Sequence, residues 1–202
     1  MQRKSTEDRK SQIIGQVLRL ASEIGPDRMS TTDVARAVGI SQPAVFRHFP
    51  TKGDLWVAVA EDVSDTLEER WAEAETRAKT PAQRLRGLTG AQLAAIAERP
   101  ALPSILFSRE LTVENPPLRE VFGQLLSSFQ SRIAAAVAEM QSEANLSNDI
   151  DARDAAVLLA STVQGVAIRW TLGNRGFDLV GEGQRLIEVQ LALMGAGKGN
   201  LP

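Results

Sequence analysis

The residues best suited to recognition chemistry lie close together between Thr31 and Lys52. Thr31 and Thr32 bring hydroxyls next to the free N–H groups that open a helix, a combination that binds phosphate oxygens. Gln42 and Arg47 are side chains able to make paired hydrogen bonds to a base edge, Gln to adenine and Arg to guanine. Pro43 and Ala44 add short apolar surface, suited to close approach or to a thymine methyl. Ser41 opens the same segment with a hydroxyl that can cap and meet phosphate at once, and Lys52 opens the next with a cation. Arg3, Lys4, Arg9 and Lys10 supply charge that can track a phosphate backbone or a minor groove. Such groups position and read a duplex; they do not break bonds.

The stretch Ser30–Leu55, STTDVARAVGISQPAVFRHFPTKGDL, holds these groups on two short helices, at 31–38 and 42–48, followed by the start of a third. Thr31 or Thr32 is the expected cap of the first helix. Ala35 is small where a second helix must cross closely. Gly39 suits the left-handed conformation that ends a helix and turns the chain sharply. Ser41 caps the next helix, with Pro43 in its first turn, where a missing N–H costs nothing. Val34, Val38, Ile40, Val45 and Phe49 form the apolar seam between the helices. Gln42, Ala44, Arg47 and His48 are left to the outward face. This is the layout of a helix-turn-helix that enters a major groove.

With an amphipathic first helix (Ile13, Ile14, Val17, Leu18, Ala21) and a break at Gly25, these residues resemble the DNA-binding domain of the TetR/AcrR family of bacterial one-component transcriptional regulators. The run Ala37-Val38-Gly39-Ile40-Ser41, then Phe46-Arg47-His48-Phe49, Lys52 and Leu55, carries the likeness. The resemblance implies that His48 meets a phosphate. Phe46 stands where the family usually has a Tyr whose hydroxyl reaches phosphate; Phe cannot make that bond and is read as core.

Composition narrows the remaining possibilities. The 202 residues contain 43% apolar side chains and can bury a real core. There is no Cys, which removes disulfides, thiol catalysis and Cys-ligated zinc, and the single His removes most other transition-metal sites. No cofactor and no metal is expected. Residues 1–54 carry nine Lys/Arg against six Asp/Glu, and the remainder fourteen against nineteen. The +3 and −5 that result suggest a basic DNA-facing domain and an acidic body. No apolar run approaches the roughly 18 residues that span a bilayer and no signal peptide opens the chain, so a cytoplasmic protein with no membrane partner is expected.

Apolar periodicity predicts an all-α fold of about nine helices. These run near 7–23, 31–38, 42–48, 52–78, 81–99, 101–111, 117–144, 152–173 and 179–195. The expected division is a helix-turn-helix domain at 1–54 and a helical ligand-binding and dimerisation domain at 55–202. Residues 155–170 are apolar almost all round, and Ala155, Ala156, Ala160, Gly165 and Ala167 permit close approach, so this helix needs cover on both sides. With Leu186, Ile187, Leu191, Leu193 and Met194 on the last helix, it predicts a homodimer through a four-helix interface.

Phe107, Phe122, Leu125, Phe129 and Trp170, with Arg109 and Gln164 as polar groups, are the expected wall of a pocket for a largely apolar effector. A dimeric, ligand-responsive repressor of a palindromic operator follows. The rivals are a DNA-organising or division-linked protein of the same fold without an effector, and a helical enzyme. No nucleophile–base pair, phosphate loop or metal cluster supports the last.

Overall fold

The computed structural model describes residues 5–195; Arg3, Lys4 and the end of the Gly-rich tail lie outside the described residues. Among these, nine α-helices follow in order: α1 Thr6–Ile24, α2 Thr31–Val38, α3 Gln42–Phe46, α4 Lys52–Arg77, α5 Pro81–Glu98, α6 Leu102–Leu106, α7 Pro116–Ser142, α8 Ala152–Leu172 and α9 Leu179–Leu193. A 3₁₀ turn at Pro26–Arg28 and a π-helical turn at Glu110–Glu114 complete the regular structure. The all-α expectation holds. Polar caps set the helix starts: Thr80 Oγ1 accepts from Gln83 N at 3.2 Å, and Asp151 Oδ1 from Arg153 N at 2.8 Å.

Several expected helices end earlier than their sequence pattern, two of them in the segments around the candidate site. The reading helix stops at Phe46 rather than 48, and the segment expected at 101–111 is α-helical only over Leu102–Leu106, with the π-helical turn beginning at Glu110. At the second stop Arg109 N, the donor that would continue the ladder to the Ile105 carbonyl, is bonded instead to Asp27 Oδ1 at 2.9 Å.

The chain divides into two compact units. One takes the chain up to Asp65 and Arg99–Gly123; the other takes Thr66–Glu98 and the chain from Gln124 onward. In the first, Ile13, Val17, Val34, Val45, Phe49, Trp56 and Val59 share one core with Ala101, Ile105 and Leu118. The three N-terminal helices therefore bury their apolar faces partly against residues far along the chain.

In the second unit α5, α8 and α9 pack on one another. The later half of α4 faces α7 there, with Trp71 and Phe129 stacked at 5.0 Å between ring centres. Arg132 ties Glu75 and Glu68 to α7, the latter at 2.6 Å. Gly183 lets α9 approach α5, since a Cβ at that position would sit 2.5 Å from Leu93 Cδ1.

One expectation is corrected here. By length and a mean hydropathy of 1.3, Ala152–Leu172 is apolar enough to cross a bilayer. The sequence pattern hides this because Arg153, Asp154 and Arg169 interrupt the run near its ends. The helix packs against α5 and α9, and 44% of its apolar window is buried.

Glu182 links α9 to α8. Its carboxylate accepts from Arg185 Nε at 2.8 Å and from Arg169 Nη2 at 2.5 Å. These bonds, Arg185 first, lower its pKa from 4.5 to about 2. A depressed folded pKa adds stability that is present above the unfolded value and lost as pH falls through the folded one. Wild type should therefore melt slightly above Glu182→Gln at neutral pH, by a margin that salt reduces. Thermal melts should show the margin shrink below pH 4.5 and vanish near about 2. A margin that stays constant through that window would contradict the role of the ion pair.

Candidate nucleic-acid interface

The interface begins at Ser30, not at Thr31 or Thr32. Ser30 Oγ accepts from Asp33 N at 3.2 Å, and Asp33 Oδ2 accepts from Ser30 N at 3.1 Å. This reciprocal box caps α2. The Ser30 hydroxyl bond also holds the Asp33 carboxyl below its ordinary pKa. The cap expected from Thr31 or Thr32 is thus made one residue earlier, and both threonine hydroxyls are released from that task. Thr32 is exposed; Thr31 is half-buried and accepts from Gln42 Nε2 at 2.7 Å.

Gly39 makes the turn between α2 and α3. Its φ of 77° and ψ of 36° are left-handed, and its N–H reaches the carbonyls of Ala35 and Arg36 at 3.0 and 3.2 Å. A residue with a Cβ is strained there. Ser41 follows in an extended conformation at the N-cap of α3, yet its side chain makes no cap bond and is exposed. Pro43, also exposed, takes an early position where no N–H is required.

The seam of α3 is Val45, fully buried, with Phe49 at 5% exposure. The structure differs from the expected outward face at two neighbours of Val45. Ala44 is buried at 8%, while Phe46 is 37% exposed. One residue is a 100° step around a helix. The steps before and after Val45 therefore leave the seam in opposite directions, and only the first stays under neighbouring atoms. Arg47 is exposed just past the helix, and His48 is half-buried in the turn. Exposed Phe46 is the apolar group that the sequence reading assigned to the core.

At α4, Thr51 Oγ1 accepts from Asp54 N at 3.0 Å and Asp54 Oδ2 accepts from Thr51 N at 2.9 Å, a second reciprocal cap. Lys52 is half-buried, and its Nζ lies 2.5 Å from Oε1 of Glu110. Asn115 donates to the Gly53 carbonyl at 3.0 Å, and Arg109 N donates to Asp27 Oδ1 at 2.9 Å. Segment 109–115 is thereby fastened to the start of α4 and to the turn after α1. Of the other expected cations, Arg9 donates to Gln12 at 2.8 Å and Lys10 pairs with Glu7 at 3.3 Å.

The expected effector wall is divided between the two units. Phe107, Arg109 and Phe122 belong to the first; Leu125, Phe129, Gln164 and Trp170 belong to the second. Phe107 is 67% exposed, and Arg109 is an exposed partner of Glu114 at 3.3 Å. Phe122 and Leu125 are half-buried and Gln164 is exposed. Phe129 stacks on Trp71, and Trp170 donates to the Phe177 carbonyl at 3.0 Å. A cavity of about 630 Å³ in the second unit is lined by other residues, among them Arg70, Glu73, Ala74, Arg77, Gln83 and Gly87.

Comparison with known proteins decides the family. Residues 13–59 match the bacterial regulatory proteins of the tetR family, and residues 81–194 match the C-terminal part of BetI-type transcriptional repressors. The chain belongs to the TetR family of bacterial transcriptional regulators. It is 31% identical over 147 residues to the nucleoid occlusion factor SlmA of Vibrio cholerae, covering 72% of this chain and 74% of that one. In fold it is similar to the fatty acid degradation regulator FadR of Bacillus halodurans. That match has a TM-score of 0.81 and 17% identity, and covers 97% of this chain and all of the other. It is also similar to a transcriptional regulator of Saccharomonospora viridis in complex with choline. There the TM-score is 0.79 and the identity 21%, with 91% and 95% of the two chains covered.

As a TetR-family regulator the protein binds DNA through α2 and α3. Two outcomes are expected at that surface. Arg47→Ala should weaken binding to a selected site by about 1–3 kcal/mol and relax its preference at one base pair. Equal loss on selected and random duplexes, measured by anisotropy titration, would deny Arg47 a reading role. Thr31→Val removes the acceptor that orients the Gln42 amide, and should cost about 1 kcal/mol on the selected site. The altered base preference should be the one given by Gln42→Ala, and a different pattern in a binding-site selection would count against the Thr31–Gln42 pair.

Proposed function

We propose that the protein is a dimeric repressor that binds a palindromic operator and is released by a small, largely apolar effector. Residues 1–54 serve as its DNA-binding domain and residues 55–202 as its regulatory and dimerisation domain. It works in the cytoplasm, where its DNA is. Thr31, Thr32, Ser41, His48 and Lys52 position the backbone in this reading, and Gln42, Pro43, Ala44 and Arg47 meet the bases. Ala44 contributes least, because so little of it is exposed.

The observation that carries the dimer is an uncovered apolar face on α8 and α9. Val157, Leu158, Val189, Leu172 and Leu193 are 45%, 46%, 45%, 83% and 79% exposed, and a Cβ at Gly165 would meet open space. On α8 the exposed positions recur at three- and four-residue intervals, so they form one stripe. Exposed apolar surface arranged in this way marks an interface. A second copy of the same two helices is the self-complementary cover, and a two-fold axis gives each reading head its own half-site. The match to BetI-type repressors supports repression, and the choline complex of the S. viridis regulator supports an effector. The likeness to SlmA favours a second reading, a DNA-organising protein without an effector.

Leu158→Arg combined with Leu193→Arg should convert a dimer to a monomer in sedimentation velocity. Operator affinity should fall at least about tenfold, because each half-site alone buries too little surface. A double variant that remains dimeric would remove α8 and α9 from the interface. Binding-site selection from random duplexes, repeated with small organic compounds, separates the two readings. Discrete sites released by a compound support the repressor, and cooperative spreading that no compound alters supports the organiser.

A further inference from the structure

Lys52 stands where a cation is poorly placed. It is the first residue of α4, beside the positive end of the helix dipole. The acid in that turn, Asp54, is committed to the cap with Thr51. The charge of Lys52 is met instead by Glu110, whose Oε1 lies 2.5 Å from Nζ. Glu110 is 6% exposed, and a carboxylate so buried requires a partner. It stands on the π-helical turn Glu110–Glu114, a rare backbone form that occurs mostly as single turns and frequently at functional sites. The same segment is bonded to the start of α4 through Asn115 and Gly53. The pair is therefore set by the fold and is not a chance meeting of two surface chains.

We infer that Glu110 is an internal competitor for the DNA phosphate that Lys52 contacts. The inference rests on the reading of Lys52 as a phosphate contact. A carboxylate and a phosphate oxygen ask the same thing of an ammonium group, one compact cation at hydrogen-bond distance. In the free protein Glu110 holds that cation. On DNA, Lys52 must leave Glu110, which strands a buried carboxylate, or share itself between the two anions. The arrangement lowers the affinity of the reading unit for all sequences alike and leaves base preference to Gln42 and Arg47. It also makes affinity adjustable from segment 109–115, because a shift of the turn that draws Glu110 away frees a full positive charge per subunit.

The test measures binding of a mixed-sequence duplex of about two helical turns over a range of salt. The proteins are wild type, Glu110→Gln, Lys52→Gln and the double variant. Glu110→Gln should tighten binding roughly threefold to tenfold at low salt. It should also steepen the dependence of log affinity on log salt by about 0.9 per phosphate gained. Neither change should appear when Lys52 is Gln. Glu110→Asp keeps the charge but shortens its reach, so it should give an intermediate gain and serves should the Gln variant fold poorly.

If Lys52→Gln weakens binding while Glu110→Gln and Glu110→Asp leave it unchanged, Glu110 is no competitor and the phosphate contact stands. If Lys52→Gln changes nothing, the phosphate contact itself fails and the inference falls with it. Tightening that persists in the double variant would mean simple removal of negative charge, not action through Lys52. A merely structural Glu110 would give weaker binding and a lower melting temperature.

Discussion

A helix of five residues closes little more than one turn of hydrogen bonds and has no stability of its own in water. α3 is such a helix, and the surface that reads DNA is built on it. Its conformation depends on burial: Val45 and Phe49 enter a core that also holds Ile13, Val34, Leu55, Trp56 and Leu118. The exposed groups beside them, Pro43 and Arg47, are aimed by those two anchors. Gly39 fixes the angle at which the chain arrives, because its left-handed turn spends its N–H on the end of α2. A reading head that cannot stand alone is as rigid as the core beneath it.

Hydrogen bonding around this core assigns the capping of α2 and α4 to a few residues. Ser30 and Asp33 satisfy the start of α2, and Thr51 and Asp54 the start of α4, each by a reciprocal cap. Because Ser30 takes the cap of α2, the Thr32 hydroxyl is not used there, and Ser41 at the N-cap of α3 makes no side-chain cap bond. Thr31 orients Gln42 instead. Asn115, Arg109 and Glu110 fasten the same unit from far along the chain, at the start of α4 and at the turn after α1.

Much of this could be read from sequence where the cause is local. Gly39, Pro43, Ser41 and the Val34–Val38–Val45–Phe49 seam declare a helix-turn-helix because turn chemistry and helical period act over a few residues. The nine α-helices among the described residues follow from the same periodicity. What could not be read depends on neighbours distant in the chain. Ala44 and Phe46 flank Val45 symmetrically, and only tertiary packing decides which of them is covered. The break after Leu106 goes with Arg109 N leaving the ladder for Asp27 Oδ1, a partner far back in the chain that no apolar pattern records. Arg109 and Glu110 are adjacent in sequence, yet one pairs with Glu114 and the other with Lys52. The aromatic residues expected around an effector include core members such as Phe129 and Trp170, since stripes at core spacing and at pocket spacing look alike.

The central claim is that two copies of α3 enter successive major grooves on one side of a duplex. Dimethyl sulfate protection on a selected site tests it most directly, because the reagent reports guanine N7 in the major groove and adenine N3 in the minor groove. The account predicts two patches of N7 protection whose centres lie about one helical turn apart, or a multiple of it. Protection limited to adenine N3, or a single unpaired patch of N7, would contradict it.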